Sequence, residues 1–102
     1  MINYDRILKE CFWDLTFTPE DLRQIPLGSD ARMKAFLMEK ILLNSSHYLR
    51  DLQIFPLQEL QQLLADFRVP HFNYDYAFRR KNIVEVFYFH QPLLVKELQW
   101  PA

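Results

Sequence analysis

Asp30-Ala31-Arg32-Met33-Lys34-Ala35-Phe36-Leu37-Met38-Glu39-Lys40-Ile41-Leu42-Leu43-Asn44 is the stretch on which the fold turns. Met33, Phe36, Leu37 and Ile41 recur at three-and-four spacing, and Met38 and Leu42 widen the stripe past half the girth of a helix. A helix that apolar needs neighbours on several sides. The pattern predicts a central helix over 30–43, capped by Ser29 or Asp30 and ended by Asn44-Ser45-Ser46.

Upstream, Tyr4, Ile7, Leu8, Cys11, Phe12 and Leu15 form one helical face, with Asn3 as the N-cap and Asp5 in the first turn. Thr18-Pro19-Glu20-Asp21 carries a capping threonine, a proline at the first helical position and an acid three residues after the cap. Pro26 keeps that helix short, and Leu27-Gly28 turns the chain. Downstream, Tyr48, Leu49, Leu52 and Phe55 continue the rhythm. Pro56 then opens an amphipathic helix running to about Arg68 through Leu57, Leu60, Leu63, Leu64 and Phe67.

Beyond Pro70 two readings stand. Asn73 can cap a helix over 74–81, but Tyr74, Tyr76 and Phe78 also alternate as a strand does. Ile83 to Phe89 is β-branched and aromatic, and His90-Gln91-Pro92 can turn it into Leu93 to Leu98 as a small β-hairpin. The expected fold class is therefore mainly α: a compact bundle of short helices in one domain over 1–102, with or without a C-terminal hairpin.

Composition narrows the function. The chain has 102 residues, is half hydrophobic and carries net charge −1. That is too apolar for disorder and too balanced for a polybasic or acidic tail. No apolar run has the ~18 residues of a membrane span, so no membrane partner is expected. Cys11 is the sole cysteine, and Met1 to Arg6 does not read as a secretory leader. A cytoplasmic setting follows as the expectation. Cys11 lies on the apolar face of its helix, which predicts a buried, inert thiol.

Chemistry-bearing patterns are sparse. His47, His71, His90 and Cys11 show no metal-ligand spacing. One glycine, Gly28, cannot build a phosphate cradle. Ser45-Ser46-His47 sets a hydroxyl beside an imidazole, but neighbours along a helix do not face each other, and serine before a helix usually caps it. No cofactor, no metal and no catalytic residue is expected, and the chain does not read as an enzyme.

Two features point to binding. Aromatic residues are abundant, with nine Phe, five Tyr and two Trp, more than a small core readily hides. Trp13 falls about 100° from Phe12 on a helix, which makes it either second-layer core or an exposed anchor. Trp100 tucks either onto the body or onto a partner. Arg79-Arg80-Lys81 lies among Phe72, Tyr74, Tyr76 and Phe78, a mixture suited to a protein contact or to phosphate and base stacking. The bland alternative is a solvated turn whose cations pair with acids such as Asp75 and Glu85. No basic excess lies behind the triplet, which favours protein over nucleic acid.

Cys11-Phe12-Trp13-Asp14, Phe36-Leu37-Met38-Glu39-Lys40-Ile41-Leu42 and Arg79-Arg80-Lys81-Asn82-Ile83 resemble a family of small bacterial and archaeal helical proteins of unknown function. Those proteins look like the small partner encoded beside nucleotidyltransferase-type toxins of abortive-infection systems. The resemblance implies an antitoxin-like or accessory binding role, with such a toxin as partner, and supplies no catalytic residue. The expectation is a non-catalytic protein-interaction domain whose contact residues are Trp13, Tyr76, Arg79, Arg80, Lys81 and Trp100. The alternative is a small winged-helix-like DNA-binding regulator using the triplet on phosphates.

Overall fold

The structure, a computed structural model, describes residues 2–95. It is mainly α, with no strand among the described residues. Six α-helices follow one another: α1 (Tyr4–Cys11), α2 (Pro19–Gln24), α3 (Ala31–Asn44), α4 (Tyr48–Asp51), α5 (Leu57–Asp66) and α6 (Tyr74–Phe89). Single 3-10 turns follow α2 (Ile25–Leu27) and α4 (Leu52–Ile54).

The start signals act as the sequence implies. Asn3 Oδ1 accepts from the Arg6 amide at 3.0 Å. Thr18 and Asp21 form a reciprocal capping box, each side chain bonded to the other's amide. Asp30 Oδ1 accepts from the amides of Arg32 and Met33. Pro26 lacks an N–H, so α2 gives way to a 3-10 turn whose proline is buried.

Helix α3 is the axis of the molecule: α1, α4, α5, α6 and both 3-10 turns touch it. Leu37, Met38, Ile41 and Leu42 are fully buried along it. Around them pack Ile7, Cys11 and Phe12 from the first helix and its end, Leu22 from α2, Leu52 and Phe55, Leu60 and Leu64 from α5, and Val84 from α6. The Phe12 ring meets Phe17 edge-on at 5.2 Å and lies 5.9 Å from Phe36, closing the corner between α1 and α3. Burying one such side chain contributes about 1.5–3 kcal/mol. Cys11 is buried, and desolvation, reinforced by the charges of Glu10 and Asp51, pushes its thiol up to about 12.

Three local expectations need correction. Leu15 is half exposed, because α1 stops at Cys11 and the chain turns away after Phe12. Helix α5 ends at Asp66 rather than Arg68. Asn73 does not cap α6 with its side chain; it adopts the left-handed conformation, φ 59°. The largest difference concerns the hairpin. Ile83 to Phe89, its first arm, is the second half of α6. Packing overrides β-propensity there: as helix, the segment buries Val84, and Tyr88 and Phe89 pack on the core. Leu93–Val95, the start of the second arm, forms no regular element, and 96–98 lie outside the described residues.

Candidate functional site

Helix ends leave backbone carbonyls without partners. The C-terminus of α3 is such an end, and α6 supplies what it lacks. Arg80 Nη1 donates to Leu42 O at 3.0 Å and to Ser45 O at 2.8 Å. The Tyr76 hydroxyl donates to Leu43 O at 2.7 Å. The Arg80 guanidinium lies between two rings, 4.4 Å from the centre of Tyr48 and 4.8 Å from that of Tyr76. Burial pushes the Tyr48 hydroxyl pKa up, and the nearby Arg80 charge opposes that shift.

The basic triplet is therefore not one patch. Consecutive helical residues point about 100° apart. Arg80 faces inward onto α3. Lys81 pairs with Glu85 one turn on, at 2.9 Å. Arg79 alone is exposed, with no hydrogen bond or ion pair among the described residues. Sequence spacing could have separated Arg80 from Arg79, since Ala77, Arg80 and Val84 fall on one helical face and Arg79 lies off it.

Aromatic side chains lie around Arg79 at the start of α6. Tyr74 and Phe78 stack one turn apart, 5.9 Å between centres and 11° between planes. With Asp75, Tyr76, Leu94 and Val95 they border an open groove of about 540 Å³, with Arg79 at its edge. Phe72, just before the helix, is 81% exposed, and Tyr74, Tyr76 and Leu94 are each about half exposed. Isolated apolar side chains at a surface are ordinary; neighbours grouped around an unpaired arginine are the composition of a contact site.

Trp13 is exposed rather than second-layer core: it is 78% exposed in the turn after α1. It shares no ring stack or hydrogen bond with the α6 aromatics, so the structure does not join it to the groove. Trp100 lies outside the described residues.

A second cluster was not foreseen. Asp51, fully buried, accepts from Arg6 Nη2 at 2.6 Å and from the Ser45 hydroxyl. Arg6 also reaches Glu10 at 2.7 Å. Partial burial opposes the Arg6 charge, but its bonds to Asp51 and Glu10 outweigh that and raise its pKa. The Ser46 hydroxyl holds the Glu10 carboxyl below the usual carboxylate range; partial desolvation opposes this, while the Ser46 amide and Arg6 reinforce it. The clue lay at Asp51 itself, a charge in the three-and-four stripe of Tyr48, Leu52 and Phe55. An acid on such a stripe must be paired if it is buried.

Ser46 and His47 do touch, contrary to the helical argument, because they lie in the turn before α4 rather than within a helix. Ser46 Oγ is 2.9 Å from His47 Nδ1 and 2.7 Å from Glu10 Oε2. A hydroxyl has one proton. The Ser46 hydroxyl donates its hydrogen bond to the Glu10 carboxylate, so that proton is not directed at His47 Nδ1 as it would be in a nucleophile–base pair. The ring's other nitrogen has no carboxylate to orient it among the described residues. This geometry fastens the α3–α4 turn to α1. Among the described residues no group of histidine, cysteine and acid side chains could hold a metal ion. None of the described helices is long and apolar enough to cross a membrane. No protein-family model matches the chain, and no curated protein or solved structure matches it significantly.

Proposed function

We propose that this chain is a non-catalytic interaction domain that docks another protein on the start of α6. The observation that carries the reading is the groove of Tyr74, Tyr76, Phe78 and Leu94 with Arg79 unpaired at its edge. Tyrosine and arginine are enriched among the residues that dominate contact energies: tyrosine brings large area at low entropy cost, and arginine a planar fork of directional donors. The resemblance noted above fits the same role, with a nucleotidyltransferase-type toxin as the partner. Arg80 and most of Tyr76 belong to the fold on this account, so the contact set contracts to Arg79, Tyr74, the Tyr76 edge and Phe72. Trp13 is a separate anchor.

The DNA-binding alternative draws less support. Two of its three cations are engaged inside the molecule, and the residues proposed for the first arm of its wing form helix. Salt separates the two readings. A phosphate-driven complex weakens steeply between low and moderate salt, whereas an aromatic contact responds modestly.

The test is co-purification of tagged wild type, Arg79→Glu and Phe72→Ser, with circular dichroism on each. Loss of the bound protein with an unchanged helical spectrum supports the reading. Retention by both variants removes this surface from consideration. Tyr76→Ala is the wrong probe, because it also uncaps Leu43 O.

A further inference from the structure

After α6 the chain reverses. His90 takes the left-handed conformation, φ 54°, and Gln91 and Pro92 lead the chain back along the helix it has just left. A buried side chain bonds the returning segment at two points. Asn82, 1% exposed, donates from Nδ2 to Pro92 O at 3.1 Å and accepts at Oδ1 from the Leu94 amide at 2.6 Å. An amide that pairs a carbonyl with the N–H two residues later reads extended backbone, not side chains. Val95, at the end of the segment, is 5% exposed.

Geometry makes the reversal taut. Asn82 to His90 spans eight residues of helix, about 12 Å. Four extended residues, His90 to Leu94, reach about 13 Å. The bend also costs energy, because a side-chain-bearing residue in the left-handed region is unfavourable.

We propose that the segment from Pro92 to Val95 exchanges between two copies of this chain. Straightened at His90, it leaves α6 in line and reaches the Asn82 seat of a second copy whose α6 abuts tail to tail. Every contact is remade because the occupant has the same sequence, and the left-handed bend is released in both chains. Phe87, 59% exposed on the last turns of α6, is then covered where the two helix ends meet. Asn82 does not line the partner groove, although Leu94 and Val95 of the exchanged segment do. The exchanged dimer therefore stands or falls without any partner protein.

Complementation of broken full-length chains tests this. Asn82→Leu destroys the seat but leaves the Leu94 amide; Leu94→Pro removes that amide but leaves the seat. Co-refolded in equal amounts at high concentration, the two are expected to form a heterodimer in native mass spectrometry that neither forms alone. Wild type, refolded the same way, is expected to yield dimer. His90→Gly, by relieving the bend in both monomers, should lower the dimer association constant roughly thirtyfold or more. A wild type that stays monomeric overturns the proposal. So does a dimer whose association His90→Gly leaves unchanged, and so does an absence of heterodimer from folded variants.

Discussion

Replacing Arg80 with alanine should damage the fold, whereas replacing its neighbour Arg79 should not. Arg80 closes two orphan carbonyls of α3 and fills the gap between Tyr48 and Tyr76. A hydrogen bond from a charged donor is worth about 1.5–3 kcal/mol. A cation–π contact adds about 0.5–1 kcal/mol. These contributions share one guanidinium and do not sum, and water reaches part of the vacated site. The expected loss is about 2–4 kcal/mol. For a domain of this size each kcal/mol moves the melting temperature by roughly 4–8 °C, so Arg80→Ala should melt roughly 10–25 °C lower. Arg79→Ala removes an exposed side chain with no bonded partner among the described residues and should stay within about 0.5 kcal/mol. Thermal denaturation followed by circular dichroism at neutral pH reads both. Equal shifts, or a larger one for Arg79, would refute the division of the basic triplet into one cation for the fold and one for a partner.

Other outcomes follow from the same contacts. Arg6→Leu leaves Asp51 charged and buried with only Ser45 beside it, which should cost about 3 kcal/mol in urea unfolding; a cost near zero would mean that water reaches Asp51. Glu10 has a folded pKa below its unfolded value, so its contribution is present above pH 4.5 and is lost as pH falls through the lower, folded value. Glu10→Gln should therefore flatten part of the acid limb of melting temperature against pH, and an unchanged limb would contradict the Ser46–Glu10 link. Cys11, raised to about 12 by burial, should resist a thiol reagent at pH 8 until denaturant is added. Rapid labelling of the native protein would place that thiol outside the core.

The helical fold was legible because its signals are local. Thr18 with Asp21, Asn3 and Asp30 mark starts, and Pro26 and Asn44 mark ends, each through a backbone group a few residues away. The width of the α3 stripe also revealed which helix is central. What could not be read was long-range. Ile83 to Phe89 has strand-like composition, and only the helix it forms against α3 and α5 decides the matter. Arg79, Arg80 and Lys81 look equivalent in the sequence. Their roles diverge because the α3 carbonyls lie on one side of α6, a fact encoded some 35 residues away. Trp13 at 100° from the core face was ambiguous for the opposite reason: whether α1 continues past Phe12 decides its exposure. Asp51 lay in plain view but needed Arg6, 45 residues distant, to make sense.

The most direct test of the interaction reading is photo-crosslinking in the cells that make the protein. A crosslinking amino acid is placed at position 72 or 79, with a control at exposed Gln62 on the polar side of α5. The proposed contact surface at the start of α6 predicts one discrete protein adduct from position 79 in the groove and from exposed position 72 just before the helix, and none from position 62. No adduct at position 72 or 79, or the same adducts from all three, would contradict it.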